Sequence, residues 1–283
     1  MMTANQVPEE TVTTKWSRLY ASLYYFLGGA MLDAFGEAGK KALRQAIHNY
    51  GAYRASRVRA DHRAQGLALN LANMMNHGDM PNTDSLERKD RICTPSYFRV
   101  TVTECTLYDA WQDLDGVDVG RIYCEEVHEP LYCGYAEGVT LHLPDFLTKG
   151  DEVCTFILTQ PDAPEPAARP TPDSVPEAKI ARLYGVLYYF LARAMLDAFR
   201  DTGERILRHA LSEYTYCESR SLDEDHLARG WEIQGSALRP AKGYSTAVGQ
   251  AVYDAWREME GDETPIGLIY FEEVQTGVER PCS

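Results

Sequence analysis

The chain has few basic residues for its length: 28 Lys and Arg stand against 42 Asp and Glu among 283 residues, a formal net charge of −14. A chain this acidic repels phosphate backbones, so we expect no nucleic-acid partner. The sequence also lacks a glycine-rich phosphate loop and the HExxH, GxSxG and kinase motifs. The common nucleotide-dependent, zinc-protease and serine-hydrolase mechanisms therefore have no motif in this chain.

Cysteine is scarce too, with seven residues, far below the density of small disulfide scaffolds. No two cysteines form a CxxC pair, the ligand spacing of many structural zinc sites. The composition predicts free thiols and a cytoplasmic location. The cysteine spacing argues against a zinc site, and we expect no metal or other cofactor.

Long apolar runs are missing as well. Residues 19–32 are an uncharged, largely apolar stretch of 14 residues, whereas a helix that spans a bilayer needs about 20. Because a closely similar stretch recurs at residues 183–196, it is not a targeting signal. We predict a buried helix in each place and no membrane association.

The chain instead contains a long internal repeat. Residues 18–57 match residues 182–221 at 19 of 40 positions, and Trp111 and Tyr123 recur as Trp256 and Tyr270. Six of the fourteen prolines lie in residues 161–176, a composition typical of an extended linker. The pattern predicts a tandem duplication, with copy one at 15–160 and a truncated, non-catalytic copy two at 177–283.

Periodicity predicts an α+β fold. Residues 15–35 and 37–63 have helical spacing, as have the segments after Thr106 and Gly120, whereas residues 97–104, 139–143 and 153–159 are typical of strands. Helices followed by strands favour two homologous domains, each a helical hairpin packed on a small antiparallel sheet. Copy two lacks a counterpart of residues 138–160, so its sheet is either incomplete or completed by copy one.

Five of the seven cysteines lie between residues 93 and 154, and copy two acts as an internal control for them. Cys105 corresponds to Gln250 and Cys124 to Phe271, while Cys154 has no counterpart. The shared skeleton does not need these thiols, which favours a functional role. A buried cysteine is also a common small core residue, and both interpretations of Cys124 stay open.

His128 follows Cys124 by four residues, so on a helix their side chains share a face. With Glu126 nearby, the trio has the composition of an activated nucleophile and its base. Copy two has Gln275 at the position of His128, as an inactive duplicate would, but two independent substitutions on a partly exposed helix give the same pattern. Glu126 recurs as Glu273, which fits a structural salt bridge equally well.

Two further candidates have a simpler alternative interpretation. His77 lies in an insertion of copy one, where it either lines a pocket or belongs to a solvated loop. Tyr123 recurs in copy two, which favours a core role over contact with a substrate.

The copy-one motifs resemble those of the L-2-amino-thiazoline-4-carboxylic acid hydrolase family. The resemblance covers about residues 15–160, with an echo at 177–275, and the residues that carry it are Phe98-Arg99-Val100-Thr101-Val102-Thr103, Cys105, Ala110-Trp111, Gly120-Arg121-Ile122-Tyr123-Cys124, Gly150-Asp151 and Cys154-Thr155-Phe156. The hairpin around Asp151 and Cys154 also resembles small-molecule-binding domains of the 4-vinyl reductase type, which implies an α+β pocket.

The resemblance implies hydrolysis of a 2-aminothiazoline ring to an N-carbamoyl cysteine. Cys124 or Cys105 would attack or orient water, His128 would be the general base and acid, and Glu126 would orient the imidazole. Arg121 or Arg99 would hold the substrate carboxylate. We extend the predicted substrate pocket to Tyr123, Asp151, Cys154 and His77.

Three functions remain open from the sequence. The first is a cofactor-independent hydrolase acting on a small heterocyclic or amidine-like substrate. The second is a family member repurposed for isomerisation, cyclisation or ring opening in specialised metabolism, and the third is a non-catalytic small-molecule-binding module. In each case we expect a small-molecule partner and pairing of the two copies within the chain, with a homodimer as a further arrangement.

Overall fold

The computed structural model describes residues 12–81, 86–166, 168, 176–224, 231–234, 237–240 and 247–278. Half of the predicted linker at 161–176, residues 167 and 169–175, lies outside these residues. The described part has an α+β fold, as predicted. Its helices are α1 (Val12–Ala64), α2 (Leu71–His77), α3 (Thr106–Asp113), α4 (Val117–Cys133), α5 (Pro176–Glu224), α6 (Ala247–Glu260) and α7 (Pro265–Val278). Its strands are β1 (Leu86–Cys93), β2 (Tyr97–Cys105), β3 (Thr140–His142), β4 (Cys154–Thr159), β5 (Trp231–Gln234) and β6 (Ala237–Pro240).

The long helix α1 is two helices joined at Gly36, where φ is 54° and ψ is −129°. This backbone conformation suits glycine, which has no Cβ to clash. The predicted helices at 15–35 and 37–63 are therefore confirmed, with the break between them. The helix α5 has the same break at Arg200, with φ 48° and ψ −128°.

Four strands form an antiparallel sheet in the order β1-β2-β4-β3. Along β2 the side chains alternate, with Phe98, Val100 and Val102 buried on one face and Arg99 exposed on the other. The sequence pattern does not predict β1, because this edge strand is mostly charged and lacks the alternation of apolar and polar residues. Its pairing with β2 is also irregular, with two register shifts. In the second half, β5 and β6 form a separate two-stranded sheet.

The helices α1 and α5 pack the two halves against each other. Phe35 stacks on Phe199 with ring centroids 3.6 Å apart. The contacts of Phe26 with Tyr214 and of Phe190 with Tyr50 are equivalent under the 164-residue offset of the repeat, as in an isologous interface between two subunits.

Buried hydrogen bonds are also equivalent in the two halves. The indole Nε1 of Trp111 donates to the carbonyl of Ala21 at 3.0 Å, and that of Trp256 donates to the carbonyl of Gly185 at 2.9 Å. Both halves therefore repeat this tryptophan contact, and the first hydrophobic cluster of the core combines buried residues of the two halves. A second hydrophobic cluster, between the end of α1, α2, α4 and the four-stranded sheet, belongs to the first half. Among the described helices, none combines the length and apolar character needed to cross a membrane.

Candidate active site

A cavity of about 490 Å³ lies in the first half. Its walls are the second part of α1, α2 and the loop after it, the buried face of the four-stranded sheet, α3, α4 and the short 3₁₀ turn Leu147–Lys149. Most side chains that line it are apolar, with a few polar groups between them, which is the composition expected of a small-molecule site.

Three cysteines line this cavity, although they lie far apart in the sequence. Cys105 ends β2, Cys124 lies within α4 and Cys154 begins β4. Burial raises the pKa of Cys105 to about 11 and raises the pKa of Cys124 further, and each of the other two thiols adds to the rise at Cys124. Burial also raises the pKa of Cys154. At neutral pH all three are therefore protonated thiols, not thiolates.

His128 lines the same cavity as a neutral imidazole. Its Nδ1 lies 2.8 Å from the backbone carbonyl of Cys124, and because a carbonyl can only accept, Nδ1 carries the proton. Burial, together with the nearby charge of Arg54, lowers the pKa of His128 to about 4, although the hydrogen bond to the carbonyl of Cys124 opposes this shift. The ring packs edge-to-face on Phe156. Its Nε2 lone pair is therefore the basic group that this side chain can offer.

The hydroxyl of Thr148 also lines the cavity. Thr148 is 2% exposed, and its Oγ1 has no hydrogen-bond partner of good geometry among the described residues. The hydroxyl is nevertheless close enough to the Cys124 thiol to oppose the rise in the pKa of that thiol. A buried hydroxyl without a partner has bonding capacity for a ligand or a water molecule.

A buried ion pair lies in the cavity wall between Arg54 of α1 and Asp79 of the loop after α2. The Arg54 Nε and Nη2 atoms donate to the two carboxylate oxygens of Asp79 at 2.8 and 2.9 Å, and Arg54 is 5% exposed. The motifs do not single out this pair. The repeat could have indicated Arg54, because the equivalent position of the second half is Glu218, so the arginine is specific to the first half.

Two more arginines give the cavity a positive charge. Arg88 of β1 lines it and has no carboxylate at ion-pair distance among the described residues; burial lowers the pKa of its guanidinium. Arg91 donates to the Asn76 side chain at 3.0 Å and lies over the ring of Phe98. Since Asp79 balances Arg54, and no other carboxylate is among the described lining residues, the cavity attracts anions.

Glu126 does not reach His128. Both Glu126 and Glu125 pair with Arg44 of α1, on the other side of α4. The second half contains the same arrangement, in which Arg208 pairs with Glu272 and Glu273. This matches the structural salt bridge that the sequence left open.

The two arginines suggested for carboxylate binding do not line the cavity. Arg99 is on the exposed face of β2. Arg121 donates from Nε to the carbonyl of Thr148 at 2.9 Å and pairs with Asp118 at 2.8 Å. It therefore holds the turn that carries Thr148.

The remaining candidates have structural contacts. Tyr123 lines the cavity, but its hydroxyl bonds to that of Tyr20 at 2.6 Å. Asp151 accepts a hydrogen bond from the backbone N–H of Phe146 and closes the turn before β4. His77 does not line the cavity; its carbonyl accepts from Nε2 of His62.

Within the described residues, no group of three or more His, Cys, Asp or Glu side chains is arranged to hold a metal ion.

Comparison with protein families places the cavity in a known context. Residues 16–158 match the family described as L-2-amino-thiazoline-4-carboxylic acid hydrolase. The match covers just over half of the chain and contains every segment that lines the cavity. No curated protein and no solved structure matches the chain.

Proposed function

The chain belongs to the L-2-amino-thiazoline-4-carboxylic acid hydrolase family, and from that premise we propose that it is a cofactor-independent hydrolase. It opens a small cyclic amidine that carries a carboxylate, and the reaction takes place in the cavity of the first half. One observation carries the proposal: one cavity is lined by a neutral imidazole with its lone pair on Nε2, by three protonated thiols, and by an arginine that has no carboxylate partner among the described residues.

The proposed reaction begins with attack of water on the amidine carbon of the ring. His128 removes one proton from the water through Nε2, and the hydroxyl group adds to the amidine carbon. The hydroxyl proton of the adduct passes to the ring nitrogen as the carbonyl forms, the carbon–sulfur bond breaks, and the imidazolium returns its proton to the departing sulfur. The base is weak, because the pKa of His128 is about 4. A bound anion favours the imidazolium, so the substrate itself raises the pKa of His128.

Two kinds of side chain hold the substrate in this proposal. Arg88 binds the carboxylate by charge-assisted hydrogen bonds. The raised pKa values of Cys105 and Cys124 favour water over a thiolate as the nucleophile. The thiols then orient the water and the ring, together with the hydroxyl of Thr148.

We further propose that the chain arose by tandem duplication, with copies at 15–160 and 177–283. The equivalent contacts in the two halves support this. Copy two has Phe271 in place of Cys124 and acts as a structural partner. Lys179 of α5 donates to the carbonyl of Gly78, a residue of the cavity wall, at 3.0 Å.

A non-catalytic ligand-binding module is the second candidate function. The specific observation in its favour is the low basicity of the site: no thiolate is present at neutral pH, and the pKa of the imidazole is about 4. In this case the same cavity would bind a carboxylate ligand and release it unchanged.

Incubation of the full chain with L-2-amino-thiazoline-4-carboxylate, followed by mass spectrometry, separates the two candidates. Hydrolysis predicts a ring-opened product one water heavier than the substrate. The His128→Gln variant should lower kcat by about 10²–10⁴-fold, and Arg88→Met should raise KM. The matched control is Arg99→Met, on the exposed face of β2, which should leave both constants unchanged. Unaltered substrate, recovered after saturable binding, would support the binding module instead.

A further inference from the structure

The cavity is larger than the substrate in the family description. L-2-amino-thiazoline-4-carboxylate has about nine non-hydrogen atoms, and at the roughly 30 Å³ that a water molecule takes in the liquid they would occupy about 270 Å³. The cavity has about 490 Å³. Pockets that enclose drug-sized ligands begin at about 300 Å³. Substantial space therefore remains beside a bound aminothiazoline ring.

One wall of this space is built from flexible apolar side chains. Met74 and Met75 of α2 and Met80 of the following loop line the cavity, together with apolar residues of the sheet such as Phe98 and Val100. Methionine adapts to ligands of irregular shape because its side chain is unbranched and polarisable. We refer to Met74, Met75 and Met80 as the methionine wall.

The methionine wall is anchored to other parts of the chain. The Asn73 Oδ1 atom accepts from the backbone N–H of Ala168, and Asn70 donates to the carbonyl of Pro164, so the segment after β4 is fastened to α2. Both asparagines are fully buried. The wall is therefore a built part of the cavity.

The charge of the cavity specifies one end of the ligand. Arg88 lies on β1 and lacks a carboxylate partner among the described residues, and Arg91 is on the same strand. The wall and the arginines together match a ligand with an anionic end and an apolar body.

We infer that this chain takes an amphiphilic acid, in which the carboxylate binds Arg88 and an apolar extension larger than the aminothiazoline ring contacts the methionine wall. The inference rests on the proposed function for the identity of the site. It extends that function to a substrate class: carboxylates with an apolar group beyond the reacting heterocycle.

Binding of simple acids tests the inference without requiring turnover. Calorimetry on the full chain would use hexanoate, octanoate and decanoate, with the alkylamines of equal length as matched probes. Each added methylene should lower Kd about fourfold until the space is filled. The amines should bind at least about tenfold more weakly, because they cannot accept hydrogen bonds from Arg88.

Two variants test which side chains contact the carboxylate end and the apolar end of the ligand. Arg88→Met should weaken octanoate binding about tenfold or more, whereas the exposed-face control Arg99→Met should not change it. Met75→Trp fills part of the space, so it should weaken decanoate binding more than hexanoate binding. The control for this variant is Tyr216→Trp, at an exposed position far along α5.

Some results would overturn the inference. Equal affinity for all chain lengths, or no binding of any acid, contradicts the apolar extension, and equal affinity for amines contradicts the anionic end. Failure of the proposed function is distinguishable: the acids would then bind while the aminothiazoline stays unhydrolysed. Hydrolysis without acid binding would leave the function intact and refute only the larger substrate class.

Discussion

His128 donates a hydrogen bond from Nδ1 to the backbone carbonyl of Cys124, one helical turn earlier in α4, at 2.8 Å. This bond determines the tautomer of the imidazole and leaves Nε2 as its acceptor. The side chains of Cys124 and His128 both line the cavity from this face of α4. The second half has Phe271 and Gln275 at these positions.

The half-buried imidazole of His128 makes the stability of the fold depend on pH. The pKa of His128 is about 4 in the folded chain and about 6.5 when unfolded, so between these values the unfolded chain binds more protons. The contribution is fully present above pH 6.5 and is lost as the pH falls to 4. Urea unfolding at pH 7 and pH 4.5 should therefore differ less in His128→Gln than in the wild type. An equal difference in both would contradict a lowered pKa of His128 in the folded chain, and His48→Gln, at an exposed position, is the control.

Removal of either partner of the Arg54–Asp79 pair should destabilise the chain unequally. Asp79→Asn leaves the charge of Arg54 buried and uncompensated, at a cost of about 3–5 kcal/mol. Arg54→Leu costs less, because the Asp79 side chain is 25% exposed and stays hydrated. The double variant should recover part of the loss of Asp79→Asn, as urea unfolding would measure.

The exposed pair of Arg193 and Asp197 is the matched control for that experiment. Arg193→Leu should change the free energy of unfolding by no more than about 0.5 kcal/mol. If Asp79→Asn changed the free energy of unfolding equally little, Asp79 would not be needed to compensate the buried charge of Arg54.

The three cavity thiols should react slowly with alkylating reagents. At pH 7.5 iodoacetamide should modify the exposed Cys217 at least about tenfold faster than Cys105, Cys124 and Cys154, because these half-buried thiols are protonated and partly shielded. Modification of the three should accelerate as the pH rises towards 10. Peptide mass spectrometry measures each site, and labelling of Cys124 as fast as that of Cys217 would contradict the raised pKa.

Equivalent tyrosines should have equal effects on stability. The hydroxyls of Tyr20 and Tyr123 and those of Tyr184 and Tyr270 each lie 2.6 Å apart. Tyr123→Phe and Tyr270→Phe should each cost about 0.5–1.5 kcal/mol in the free energy of unfolding. Tyr123→Phe alone should change catalysis, because Tyr123 lines the cavity. If Tyr270→Phe lowered kcat as much as Tyr123→Phe does, that result would argue against an inactive second half.

The position of Glu126 follows from helix geometry. At 3.6 residues per turn, Glu126 projects about 200° around α4 from Cys124, whereas His128 returns to the same face. Its distance from His128 could therefore have been derived from the sequence once the segment was taken as a helix. The ion-pair partner of Glu126 could not have been derived in this way, because Arg44 lies on another helix.

Local patterns alone determined much of this protein. Apolar periodicity predicted both parts of α1, alternation predicted β2, and comparison of the two halves singled out Cys105 and Cys124, because these features depend on residues near in sequence or on the repeat itself. Tertiary structure decided the character of the cavity. Arg54 forms its ion pair with Asp79, which lies 25 residues away in the sequence. Arg88 lies on a charged edge strand whose sequence has no recognisable strand pattern. Contacts of this kind depend on how distant segments pack, so the charge and size of the cavity became apparent only in the folded chain.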